Sequence, residues 1–184
     1  MEKIRSCKVA VTLSAIWFVV FVLSKVTTID TVLCGKGMDV IGNEYWRFLT
    51  AGFIQTNLIH TLGNIYLILW LGMRYEKVIG SSRFFIIGFI GSAVAYFVFG
   101  FIYRNALSCI GGSGYWYALV GYILIQQLRV PDFSTLGQKW MLIYALIFLP
   151  VIPIIPGMNI STAVFHALAF VVGVVVGFFM EWYN

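Results

Sequence analysis

Long apolar segments dominate this 184-residue chain, and the stretches between them hold nearly all of its charges. Hydrophobic residues make up 61% of the sequence and charged residues 10%, with a mean hydropathy of +0.94. Soluble domains are only about half apolar, so this composition excludes a soluble fold and predicts a single-domain, all-α membrane protein over residues 1–184. The predicted spans are Val9–Leu23, Asn57–Met73, Phe84–Ile102, Gly114–Gln127, Trp140–Ile155 and Ile160–Met180.

The basic residues predict the orientation of these helices. Lysine and arginine are enriched in cytoplasmic connections. With a cytoplasmic amino terminus, eight basic residues lie inside and four outside, which predicts that both termini are cytoplasmic. Topology thus accounts for the net charge of +5, and no nucleic-acid partner is expected. The inner group is Lys3, Arg5, Lys8, Arg74, Lys77, Arg83, Arg129 and Lys139, and the outer group is Lys25, Lys36, Arg47 and Arg104.

Two features of the amino-terminal region favour membrane attachment. Residues 1–23 begin with basic residues and an apolar run, as signal peptides do. No small-x-small cleavage site follows, so a retained first helix is expected. The Tyr45–Phe48 stretch is aromatic and cationic, which is typical of a segment at the lipid headgroups. Arg47 is expected to anchor it there, with a catalytic role as the alternative.

The three cysteines give little indication of a metal or disulfide site. Cys7, Cys34 and Cys109 form no C-x-x-C pair and have no histidine nearby. Free thiols are the default expectation. Cys34 and Cys109 both fall on the predicted outer side, so a bridge between these two stays an open alternative.

The Ile110–Gly121 stretch places one hydroxyl among glycines at the start of an apolar segment. A helix that begins just after the glycine pair directs its free backbone N–H groups toward Ser113, and those donors favour negative charge. Glycine and serine also pack membrane helices, so this motif alone is weak evidence. The only two histidines, His60 and His166, lie in apolar segments, where ionisable groups are costly. Together with Asn64, these residues favour a reaction site over packing.

Helix length supports a pairing of Ser113 with His166. The segment from Gly114 to Gln127 has 14 residues and covers about 21 Å as a helix, which is short of the ~30 Å hydrocarbon core. Its outer end is therefore expected below the membrane surface. His166 lies six residues, or about 9 Å, into the sixth span and so at a similar depth.

These residues indicate the chemistry of a serine–histidine dyad. A serine needs a base to take its proton and donors aimed at the charge that develops. His166 is the candidate base. The candidate donors are the Ser113 N–H, His60 and Asn64, of which the last two share one helix face. All aspartates fall in connections, so none is expected to orient His166. Hydrolysis by such a dyad consumes water, so a water-filled pocket that faces outward is implied.

From Tyr45 to about Gly177 the chain resembles the rhomboid intramembrane serine proteases. The resemblance implies a six-transmembrane-helix rhomboid-like bundle with Ser113 as nucleophile and His166 as base. The matching motifs, in family order, are Trp46-Arg47, His60-x-x-x-Asn64, Glu76, Gly111-x-Ser113-Gly114, Tyr117, Gly121 and His166.

The resemblance also implies the surroundings of the dyad and the kind of substrate. His60, Asn64 and the Ser113 N–H would form an oxyanion hole. Three supporting residues are implied, namely Gly111, Gly114 and Tyr117. The Tyr117 ring would stack on His166, although membrane packing is an alternative role for this tyrosine. Members of the family cut single-pass transmembrane proteins near the outer face of the bilayer, without a cofactor or metal. A bacterial inner membrane is the expected location.

Three positions depart from the family pattern. Phe165 and Ala169 stand where a small residue and a glycine are common, so the shape of the substrate pocket is open. Gln55 stands where relatives often carry another histidine, and no catalytic role is assigned to it. Two other functions are compatible with buried polar residues: a small channel or transporter, and a catalytically silent rhomboid-like binder of membrane helices. Clustering at one end disfavours the first, and the presence of both Ser113 and His166 disfavours the second.

Overall fold

The structure is a computed structural model that describes residues 7–129 and 160–180. In those ranges the chain is helical and forms no β-strand beyond an isolated antiparallel bridge between Gly35 and Cys109, which confirms the all-α prediction for them. A 3₁₀ turn at Ala51–Phe53 and a π-helical turn at Gly72–Glu76 interrupt the α-helices. The α-helices are α1 (Lys8–Ser24), α2 (Ile29–Leu33), α3 (Arg47–Thr50), α4 (Leu58–Leu71), α5 (Lys77–Ile79), α6 (Ser81–Ile102), α7 (Ser113–Arg129) and α8 (Ile160–Phe179).

Five helices correspond to predicted spans, namely α1, α4, α6, α7 and α8. By length and composition, α6 and α8 are suited to cross a membrane. With 17 residues, α7 covers about 25 Å, somewhat more than the sequence indicated. The predicted fifth span, Trp140–Ile155, lies outside the described residues. The count of six spans and the cytoplasmic position of both termini therefore stay predictions.

Helix α7 lies at the centre of the bundle, and nearly all of its side chains are buried. It packs against α8 through small residues. A methyl group on Gly121 would overlap the backbone carbonyl of Phe170, and one on Gly173 would overlap that of Ala118. Without side chains at these points, the two backbones can come this close. Gly173 and Gly177 of α8 form a packing face, because both lie against α7.

Arg47 holds the long connection between α1 and α4 together. Its side chain is buried, and its guanidinium donates to loop carbonyls and to one carboxylate. The expectation that Arg47 anchors the chain at the headgroups is therefore wrong, because the loop backbone uses its donors. The neighbouring Trp46 remains 41% exposed. The acceptors of Arg47 are the backbone carbonyls of Thr31, Val32 and Cys34 and the carboxylate of Glu44.

The structure leaves Cys34 and Cys109 as free thiols. The residue directly opposite Cys109 in the isolated bridge is Gly35. Burial raises the pKa of the Cys109 thiol to about 12, so this thiol stays protonated at neutral pH.

Glu76 connects the π-helical turn to the start of α1. Its carboxylate is fully buried and accepts hydrogen bonds from the backbone N–H groups of Val9 (2.9 Å) and Ala10 (3.0 Å). The hydroxyl of Ser81 donates to the same carboxylate at 2.7 Å. The first N–H groups of a helix lack intrahelical acceptors, and a negative charge there is favourable. Glu76 therefore caps α1 from a distant part of the chain.

Replacing Glu76 by alanine is expected to destabilise the bundle. The change leaves buried N–H groups without an acceptor, and one such group costs about 1–3 kcal/mol. Thermal unfolding in detergent should show a clear fall in Tm. Asp39→Ala is the control, because within the described residues the Asp39 carboxylate pairs only with the exposed Arg104, and such pairs contribute about 1 kcal/mol or less. Equal shifts in the two variants would contradict the capping role.

Candidate active site

A tight turn at Gly111 and Gly112 places Ser113 at the first position of α7. Gly111 has a φ of 139°, which side chains rarely tolerate, so glycine is required there. The turn is held by hydrogen bonds from the Gly111 N–H to the Ala51 carbonyl (3.3 Å) and from the Tyr96 hydroxyl to the Gly111 carbonyl (2.7 Å). Because the N–H groups at a helix start lack intrahelical acceptors, the Ser113 N–H is available beside the Ser113 hydroxyl.

The hydroxyl of Ser113 contacts the imidazole of His166 on α8. Ser113 Oγ lies 2.7 Å from His166 Nε2, and both residues are only 4% exposed. At this distance the hydroxyl can donate to the ring nitrogen, which is the contact that a general base requires. The two residues are 53 positions apart, and the close contact of α7 with α8 brings them together. His166 Nδ1 has no hydrogen-bond partner in the described part of the chain.

Two aromatic rings of α7 hold the imidazole of His166 in place. The Tyr117 ring stacks on it, with centroids 4.3 Å apart and an interplanar angle of 22°. The Trp116 ring stacks on Tyr117 at 3.8 Å and 26°. Tyr117 is one helical turn beyond Ser113, so it projects from the same face of α7. This is the stack of Tyr117 on His166 that the family resemblance implies.

Helix α4 brings His60 and Asn64 to the same turn. The side chain of Asn57 caps this helix by accepting from the His60 N–H at 2.9 Å. Asn64 Nδ2 lies 3.3 Å from His60 Nε2. A methyl group built on Gly111 would lie 3.2 Å from His60 Cε1 and 3.6 Å from Ser113 Oγ. His60 and Ser113 therefore meet at Gly111, with Asn64 beside His60.

The indole of Trp116 determines how these polar groups are oriented. Its Nε1 donates to Asn64 Oδ1 at 2.9 Å. An indole N–H can only donate, so the oxygen of Asn64 must face Trp116 and Nδ2 must face the other way as a donor. His60 Nε2 therefore accepts from Asn64, which puts the His60 proton on Nδ1. That Nδ1 is buried and has no partner among the described residues, so it is a free donor.

The supporting residue Gly114 lies against Phe165. A methyl group on Gly114 would lie 2.7 Å from the Phe165 ring and 2.9 Å from Ser92 Oγ. Phe165 packs in turn on Tyr96, with ring centroids 4.4 Å apart. The bulky residue at position 165 thus fills the space on one side of the turn that carries Ser113.

Sequence reasoning does not find two members of this network. Trp116 gave no signal, because aromatic residues are ordinary in membrane helices. The sequence pattern assigns no role to Gln55, yet this residue is 2% exposed and its Oε1 accepts from Asn64 Nδ2 at 2.8 Å. The available signal was a glutamine directly after the apolar Phe53-Ile54 pair, since a buried amide needs partners.

A buried serine in contact with a histidine inside a helical bundle, next to free donors, has the geometry of a hydrolase site. Residues 42–183, well over half of the chain, match the Rhomboid domain family. The chain therefore belongs to the rhomboid family and is an integral membrane protein.

Two similar proteins are both named Rhomboid protease GlpG. The protein from Pectobacterium atrosepticum is 26% identical over 168 residues, which cover 90% of this chain and 58% of that protein. The protein from Serratia proteamaculans is 27% identical over 178 residues, which cover 92% of this chain and 60% of that protein. The chain thus spans somewhat less than two thirds of the length of these relatives.

Gly111→Ala is expected to abolish the reactivity of Ser113. A side chain at a φ of 139° is strained, and the methyl group would press on His60. Labelling of Ser113 by a fluorophosphonate should fall by at least about 10²-fold, the loss typical of a disrupted oxyanion site. Gly63→Ala in α4 is the control, because no described residue lies within 4 Å of a methyl group built there. Normal labelling of Gly111→Ala would contradict the assigned role of the turn.

Proposed function

We propose that this protein is an intramembrane serine endopeptidase with Ser113 as nucleophile and His166 as general base. The proposal rests on the 2.7 Å contact between Ser113 Oγ and His166 Nε2 in a chain of the rhomboid family. The names of its relatives support the same class of activity.

The proposed reaction proceeds in two steps. His166 Nε2 takes the proton of Ser113 as Oγ attacks the carbonyl carbon of the scissile peptide bond. The resulting oxyanion accepts hydrogen bonds from the Ser113 N–H and from His60 and Asn64. The amine then leaves with the proton from His166, and an acyl-enzyme forms on Ser113. A water molecule, deprotonated by His166, hydrolyses that ester and restores the serine.

The Tyr117 ring supports the base in this mechanism. When His166 takes the proton, it becomes a cation in a low-dielectric interior. An aromatic face at 4.3 Å attracts such a cation. The stack also restricts rotation of the imidazole, which a carboxylate does in a catalytic triad. These steps use only groups of the chain itself, with no cofactor or metal.

The proposed substrates are single-pass transmembrane proteins, cut near the outer face of a bacterial inner membrane. With both termini cytoplasmic, Ser113 lies at the outer end of α7. That helix covers about 25 Å against a hydrocarbon core of ~30 Å, so Ser113 lies slightly below the surface. A substrate helix hides its carbonyls in internal hydrogen bonds and must unwind to reach Ser113. Segments with glycine, serine or proline lose least on unwinding.

The packing of Phe165 suggests a restricted pocket for the substrate side chain. The ring lies between Gly114 and Tyr96 and leaves little room on that side of Ser113. We therefore propose that the residue at the cut is small.

Ser113→Ala and His166→Ala are each expected to abolish cleavage of a reconstituted transmembrane substrate. The double variant should be no worse than either single one, because members of a catalytic unit are non-additive. Ser14→Ala is a matched control, since Ser14 is also buried and its hydroxyl donates to the Ala10 carbonyl within α1. Fluorophosphonate should label the wild type at Ser113. Retained cleavage in Ser113→Ala would refute the proposal, and an unlabelled, inactive wild type would favour a silent binder.

Phe165→Ala is expected to broaden the residues accepted at the cut. The change removes the ring beside Gly114 and opens space for a larger side chain. Mass spectrometry of products from substrates with alanine or leucine at the cleavage site would measure the ratio of the two rates. Phe84→Ala removes an equally buried ring in the first turn of α6 and is the control. An unchanged ratio of the two rates in Phe165→Ala would contradict the proposed pocket.

The same mass spectra test the proposed orientation in the membrane. A cut in the cytoplasmic third of the substrate would contradict it.

A further inference from the structure

The amide of Gln55 is a buried polar group near Ser113 that the mechanism above does not use. Its Oε1 accepts from Asn64, but its Nε2 has no hydrogen-bond partner among the residues that the structure describes. Nε2 lies against the serine turn, because a methyl group on Gly112 would be 2.7 Å from it. A buried donor without a partner is costly and calls for an explanation.

The hydrogen bonds through Gln55 can run in only one direction. Trp116 must donate to the oxygen of Asn64, so Asn64 must donate to Gln55. Reversing the Gln55 amide would bring two N–H groups face to face. The chain of bonds therefore ends with a spare donor, and not an acceptor, beside Gly112.

We propose that Gln55 is a positioning residue of the oxyanion hole that acts through Asn64. It takes one hydrogen of Asn64 Nδ2 at 2.8 Å, while the other hydrogen has only the longer 3.3 Å contact with His60. That second hydrogen is the one that turns to the substrate oxyanion. Gln55 and Trp116 together hold the Asn64 amide from both ends. This inference rests on the proposed function and specifies how its oxyanion hole is oriented.

The spare Nε2 donor has a separate consequence. Because this group is a neutral N–H donor, no negative charge lies beside Gly112. Gly112 is part of the turn that carries Ser113, where the oxyanion develops. A carboxylate at position 55 would still accept from Asn64. When ionised, however, it would oppose the negative charge of the transition state.

Gln55→Met tests the positioning role, because methionine has a similar shape but cannot accept the hydrogen bond from Asn64. We expect kcat to fall about 10-fold with KM unchanged, which is less than the ~10²–10³ lost with a donor itself. In an Asn64→Ala background the same change should have no further effect, because both residues act through one group. Gln127→Met is the matched control: that buried amide bonds Tyr75, and its loss should leave kcat unchanged.

Gln55→Glu is a second variant that does not depend on the stability of Gln55→Met. At low pH the introduced carboxyl is protonated, neutral and similar in shape to the amide. The kcat of Gln55→Glu should therefore approach that of the wild type. As pH rises through the titration of this carboxyl, the ratio of its kcat to that of the wild type should fall. The corresponding ratio for Gln55→Met should be independent of pH, because methionine does not titrate.

Four results would overturn the inference. One is an equal fall in kcat when Gln55→Met is introduced into Asn64→Ala, and another is an effect on KM alone. The third is a pH-independent ratio for Gln55→Glu, and the fourth is a Gln55→Met variant as active as the wild type. Labelling of wild-type Ser113 by fluorophosphonate separates this inference from the proposed function. If the wild type neither cuts nor labels, the proposed function fails and the inference with it. If the wild type does both and Gln55→Met performs equally well, only the inference fails.

Discussion

The close contact between α7 and α8 is the constraint on which the candidate site depends. Ser113 and His166 lie on different helices, and a shift of one residue along either helix would move its side chain about 1.5 Å and rotate it by about 100°. The contact excludes such shifts, because Gly121 and Gly173 each face a backbone carbonyl with no room for a side chain. Backbone packing thus determines the distance between the serine and the histidine.

Directional hydrogen bonds then orient the polar side chains within that frame. The Trp116 indole has one donor and no acceptor, so it determines the orientation of Asn64, of Gln55 and of the His60 proton. In a low-dielectric interior an unpaired polar group is costly, so few alternative arrangements compete. His60 Nδ1, Gln55 Nε2 and His166 Nδ1 are among the buried groups that have no hydrogen-bond partner in the described part of the chain. A site that stabilises a transient negative charge needs a surplus of donors.

Two buried charges, Arg47 and Glu76, hold parts of the chain outside this site, and both bind backbone groups. Arg47 satisfies carbonyls of the long connection after α1, and Glu76 satisfies N–H groups at the start of α1. Each charged side chain therefore supplies the hydrogen bonds that water would otherwise make to backbone groups outside regular secondary structure. The sequence indicated Glu76 only through the family pattern. For Arg47 it suggested a headgroup contact, because an arginine beside two aromatic residues looks the same whether its head points to lipid or to a loop.

The sequence by itself determined the all-helical, membrane-embedded class, the approximate starts of five helices, and Ser113, His166, His60 and Asn64 as the candidate site residues. Those inferences were possible because the signals are local in the sequence. They are the length of each apolar segment and the presence of polar residues inside apolar segments. Only the tertiary structure decided which way Asn64 points, that Gln55 supports it, and that Phe165 fills the space beside Gly114. Such facts depend on contacts between residues far apart in the chain. A single hydrogen bond, or an aromatic ring that fills a space between helices, leaves no periodic pattern in the sequence of either partner.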